Sequence, residues 1–95
     1  MFTEERITEL EQLGFKRWTK GSMDRLYINA GQLGLNCEYY KTGNIRSATF
    51  KDEHVSNSEA RRMKDAKTYI DIKTSKAYSD SYTLKRAAEE LAEIE

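Results

Sequence analysis

Cations and aromatic rings alternate in two neighbouring stretches of the chain, Phe15-Lys16-Arg17-Trp18-Thr19-Lys20 and Met23-Asp24-Arg25-Leu26-Tyr27. Rings of this kind stack on unpaired bases while adjacent cations follow phosphates, each stacked base contributing roughly 1–3 kcal/mol. That is the chemistry of single-stranded nucleic-acid binding, and its candidate residues are Lys16, Trp18, Lys20, Arg25, Tyr27 and Tyr40. The same surface suits a protein partner. A structural role is the plainer alternative: a ring and a cationic stem paired across a hairpin stabilise it by about 0.5–1 kcal/mol. Under a covering helix or loop, the same rings would be ordinary core.

A second basic group lies in SEARRMKDAK, where Arg61, Arg62, Lys64 and Lys67 cluster on a predicted helix. It is the candidate site of a small DNA-associated regulator, although interleaved Glu59 and Asp65 and the short length disfavour reading a major groove. Charge is balanced over the whole chain, sixteen bases against sixteen acids. Residues 15–67 nevertheless carry eleven bases and six acids, between acidic end segments. Gly31-Gln32-Leu33-Gly34 has the spacing of a backbone-clamping Gly-x-x-Gly loop. Its middle pair holds no base, and glycines closing a helical turn are the ordinary reading.

Cys37 and His54 are the single thiol and single imidazole. A nucleophile and base meet in space rather than in sequence, but no third orienting group or nucleophile elbow accompanies these two. The expectation is a non-enzymatic protein. One His and one Cys supply too few soft ligands for zinc, so neither metal nor cofactor is expected. One cysteine forms no intrachain disulfide. No apolar run approaches the roughly 18 residues of a membrane span, and the amino terminus lacks the basic start and apolar stretch of a signal peptide. A cytoplasmic protein is expected.

The elements that must position these residues are legible from periodicity and turn chemistry. Ile7, Leu10 and Leu13 mark a helix over 3–13, with Glu4 and Glu5 favoured by the dipole in its first turn. Ser56 and Glu59 have capping-box spacing ahead of a helix over 58–67 with Ala60, Met63 and Ala66 on one stripe. Leu84, Ala87, Ala88, Leu91 and Ile94 give a third helix over 81–94. Gly21-Ser22 reads as a type II′ hairpin turn, pairing Lys16 with Tyr27 and Trp18 with Arg25. Phe15, Leu26 and Ile28 are then buried, and Lys16, Trp18, Arg25 and Tyr27 face the other way. Gly43-Asn44 gives a second hairpin in which Cys37 lies opposite Phe50. Thr74-Ser75 gives a third, with Ile70, Ile72 and Ala77 inward and Tyr69, Asp71 and Tyr78 outward. The polar stretch Lys51-Asp52-Glu53-His54 reads as a loop.

The order α-ββ-ββ-α-ββ-α predicts one α+β domain over 1–95, a mainly antiparallel sheet of hairpins with about three helices on one face. The segments GFKRWTKGSMDRLYINAGQLGL and KTYIDIKTSKAYSDSYTLKRAAEELA cover half the chain. On these the chain resembles uncharacterised small accessory proteins of Gram-positive bacterial mobile elements, phages or conjugative transposons. The resemblance implies a setting and assigns no residue a role. The functional expectation is a binding module for another protein or single-stranded nucleic acid. It would be a monomer or weak homo-oligomer, open sheet edges being the route to association.

Overall fold

The computed structural model describes residues 2–93. The chain opens with α1 (Glu4–Gln12), then the hairpin β1 (Lys16–Lys20) and β2 (Met23–Ile28), and the single turn α2 (Ala30–Leu33). There follow β3 (Leu35–Tyr39), β4 (Ile45–Phe50), β5 (Glu53–Val55), α3 (Asn57–Asp65), the hairpin β6 (Thr68–Asp71) and β7 (Ala77–Ser79), and α4 (Tyr82–Glu93). This is an α+β domain of antiparallel strands, measuring 43 × 27 × 20 Å. No helix among the described residues is long and apolar enough to cross a membrane. The expected helix end at Ile94 lies outside them.

Local chemistry explains the helix starts. The Thr3 hydroxyl accepts from the Arg6 amide at 3.1 Å and the Ser56 hydroxyl from the Glu59 amide at 3.2 Å, each satisfying an orphan donor of the first turn. Ser81, fully buried, caps α4 through the Leu84 amide at 3.3 Å. The Glu59 carboxylate does not turn back on its own cap as a capping box would. It accepts from Ser81 Oγ at 3.3 Å and Thr83 Oγ1 at 3.0 Å, tying α3 to the start of α4.

The strands form two sheets rather than the one expected. The first has the order β1-β2-β6-β7 and the second β3-β4-β5. The first hairpin keeps its predicted register, Lys16 opposite Tyr27 and Trp18 opposite Arg25. Gly21 has φ +59° and Ser22 does not share it, as a type II′ turn requires. The second hairpin pairs Cys37 with Ala48 and Leu35 with Phe50, two residues from the predicted register. Its loop is longer: the Tyr40 carbonyl accepts from the Gly43 amide at 2.9 Å and the Tyr40 amide donates to the Asn44 carbonyl at 2.9 Å. Gly43, at φ +91°, sits after the turn rather than inside it. Because the shift is by two, the faces survive, and Cys37, Ala48 and Phe50 stay on one side. A bulge between Glu38 and Tyr39 then lets both Ile45 and Ala48 be buried, three residues apart.

The stretch read as a loop is strand β5, pairing Phe50 with Glu53 and Thr49 with His54. Lys51 and Asp52 make its two-residue turn at φ +51° and +68°, a type I′ conformation normally signalled by Asn-Gly. Helix α4 packs on β6 and β7, and α3 on β3 and β4. Leu10, Leu26, Met63, Ile70 and Leu84 are wholly excluded from water within one continuous core.

Candidate ring-and-cation face

Pairing β2 with β6 extends the predicted face across the first sheet. Lys16, Tyr27, Tyr69 and Tyr78 stand opposite one another on β1, β2, β6 and β7, forming one cross-strand row. The next row is Trp18, Arg25 and Asp71. Alternation puts Leu26, Ile28, Ile70 and Ala77 on the buried side. The ring face is accessible: Trp18 is 36% and Tyr78 42% exposed, Lys16 and Lys20 are exposed, and Tyr27 and Tyr69 half-buried.

Cations are set among these rings. The Tyr27 and Tyr69 rings lie 6.2 Å apart, tilted by 52°. The Arg25 guanidinium stands 5.0 Å from the Tyr78 ring centre and 6.0 Å from that of Tyr69, within cation–π range. Its approach to Asp71 is loose, Nε to Oδ2 at 3.9 Å, and Arg25 Nε is buried without a hydrogen-bond partner among the described residues. Asp71 is otherwise occupied, its Oδ1 accepting from the Lys73 and Thr74 amides at 2.9 Å in the β6–β7 turn. On the opposite face Arg17 grips Asp24, Nε to Oδ1 at 2.9 Å and Nη2 to Oδ2 at 2.6 Å. That fork holds the Asp24 carboxyl below its ordinary range and the guanidinium above its own. This tight pair supports the hairpin, while Arg25 is held only by two ring faces and a loose carboxylate.

Two depressions open on the ring face. A cleft of about 210 Å³ is lined by Trp18, Tyr27, Asn29, Lys67 and Tyr69. A groove of about 610 Å³ is lined by Arg25, Lys67, Tyr69 and Tyr78, and continues to Ser79, Asp80, Lys85 and Asp65. Lys67 and Tyr69 belong to both.

The structure gathers Lys16, Trp18, Lys20, Arg25 and Tyr27 on one face and separates Tyr40 from them. Tyr40 is 55% exposed in the β3–β4 loop of the other sheet, because the second hairpin pairs with β5 and not with the first. Arg61, Arg62 and Lys64 are exposed on α3, Lys64 with its Nζ 4.9 Å from the Tyr39 ring centre. Lys67 leaves this group: Ala66 is extended at ψ 134°, ending the helix before it and delivering Lys67 to the ring face. Tyr69 and Tyr78 are the site members that the sequence reading left out of the site. Their outward orientation was readable from the third hairpin; their adjacency to Tyr27 was not, since it depends on the β2–β6 pairing.

Cys37 and His54 do not form a pair. Cys37 lies in the row with Ala48 and Val55, and His54 in the row with Thr49 and Asn36, so they point to opposite faces of the second sheet. Gly34, at φ +118°, closes α2 and its carbonyl accepts from the Lys51 amide at 3.2 Å, an ordinary structural use. Comparison of the chain with protein-family models, curated proteins and solved structures finds no match.

Proposed function

We propose that this domain is a non-enzymatic binding module that takes single-stranded nucleic acid on the open face of its four-stranded sheet. The observation that carries this reading is the row Tyr27, Tyr69 and Tyr78 on three adjacent strands, with Trp18 beside it. Neighbouring strands are about 4.8 Å apart, so the row offers rings over roughly 10 Å of flat surface. Every base has a face to stack on such rings. Lys16, Lys20, Arg25 and Lys67 surround them, against Asp71 alone within the rows, which favours a polyanion. One observation favours a protein partner instead: a half-buried arginine among tyrosines and a tryptophan is also the composition of interface anchors.

Trp18 is the only tryptophan, so its emission reports on this face. Titration with a mixed-sequence single strand of about twelve nucleotides should give a saturable change. Affinity should fall on the order of tenfold between 50 and 200 mM salt, as for about three phosphate contacts. Unchanged emission together with flat anisotropy of the labelled strand refutes nucleic acid as the ligand and leaves the protein reading. That reading is then tested by loss of partner recovery in a Trp18→Ala/Tyr27→Ala variant that retains its fold.

A further inference from the structure

Resting on the nucleic-acid reading, we infer that the strand is seated in two adjacent base subsites divided by Tyr69, with Lys67 on the phosphate between them. The cleft at Trp18 and Tyr27 and the groove at Arg25 and Tyr78 are separate depressions, yet Tyr69 and Lys67 line both. Two hollows with a shared wall accept consecutive units of a polymer, one in each. Tyr69 has a neighbour on either side: the Tyr27 ring at 6.2 Å and the Arg25 guanidinium at 6.0 Å. A base entering the cleft meets Trp18, Tyr27 and Tyr69, with the Asn29 amide as both donor and acceptor. A base entering the groove meets Tyr69, Tyr78 and the Arg25 guanidinium.

Charge places the phosphate. Among the described residues Lys67 is the only charged one lining the cleft, and it is exposed. At the far end of the groove Asp65 and Asp80 stand with Lys85, so that end does not concentrate a phosphate as Lys67 does. The internucleotide phosphate therefore belongs at the shared wall, and the smallest ligand that uses the whole site is a dinucleotide. A duplex, its bases paired and stacked, offers neither base to the clefts.

Lys41 provides the control, being an exposed cation in the β3–β4 loop of the other sheet that lines neither depression. Binding of the twelve-nucleotide strand is compared for the wild type, Lys67→Ala and Lys41→Ala, alongside competition by a dinucleotide and by a mononucleotide. Lys67→Ala should weaken binding about fivefold and lower the salt slope by about 0.7, one phosphate contact on a single strand. Lys41→Ala should change affinity less than about twofold, and the dinucleotide should compete about tenfold better than the mononucleotide. Equal losses in both lysine variants, an unchanged Lys67→Ala, or equal competition by the two short ligands overturns the paired subsites while the nucleic-acid reading stands. A wild type that does not bind the strand removes both.

Discussion

Arg17 and Arg25 sit on the same hairpin and serve opposite ends. Arg17 meets Asp24 through two parallel hydrogen bonds on the side away from the rings, with Glu4 of α1 at 3.8 Å. Such a fork fixes the side chain. Arg25 has only a loose carboxylate neighbour and two ring faces, so its position is less tightly fixed. The Asp24 carboxyl is lowered in the folded protein, first by its hydrogen bond from Arg17. Its contribution to stability is therefore complete above the unfolded aspartate value of about 3.9 and is lost as pH falls through the lower folded value. Urea midpoints measured from pH 7 to pH 2 should fall at the acid end for the wild type. The acid limb should be shallower in Arg17→Ala; parallel curves would remove this pair as a source of the slope.

Elements whose signals are local were legible, and those that depend on unusual turns were not. Ser56 marks its helix because a hydroxyl one residue ahead of a first turn satisfies amides that nothing else reaches, whereas Ser81, read as the first residue of its helix, caps it instead. Gly21 sets the first register because a left-handed first turn position suits glycine. The β4–β5 turn carried no such signal. Lys51 and Asp52 both adopt positive φ, a conformation that costs a residue with a Cβ roughly 1–2 kcal/mol. Hydrogen bonding of the Lys51 amide to the Gly34 carbonyl and pairing of β5 with β4 outweigh that cost. Replacing Asp52 with glycine should relieve part of it, stabilising the protein by about 0.5–1 kcal/mol in denaturant unfolding. A neutral or destabilising result would mean that the aspartate side chain offsets its own strain.

At the scale of the whole molecule, one core joins both sheets and the four helices of the described residues. Met63 of α3 is wholly buried in it, and Met63→Ala should cost about 2–5 kcal/mol, read as a shift in urea midpoint at constant slope. Because α3 joins the second sheet to α4 through Glu59, that loss should unfold both sheets together, visible as coincident transitions by Trp18 emission and far-ultraviolet dichroism. The acidic residues of α1, Glu4, Glu5, Glu9 and Glu11, and those of α4, Glu89, Glu90 and Glu93, concentrate negative charge on the end helices. An uncharged total thus coexists with a basic ring face. The β1 edge carries Lys16, Arg17 and Lys20 along an exposed strand, a charge pattern that opposes edge-to-edge pairing.

The sequence alone determined the α+β class, the two outer helices, the register of the first hairpin and the division of its residues between buried and open faces. Each of these follows from residues within a few positions of one another: alternation along a strand, periodicity along a helix, a glycine at a turn. Only the tertiary structure decided that β2 takes β6 as its neighbour, that the second hairpin builds a sheet of its own, and that Lys67 leaves its helix. Those choices depend on which distant pairings bury the most apolar surface once the loops between them have closed. No local group of residues encodes that comparison. It removed Tyr40 from the candidate face, and it placed Tyr69, Tyr78 and Lys67 there.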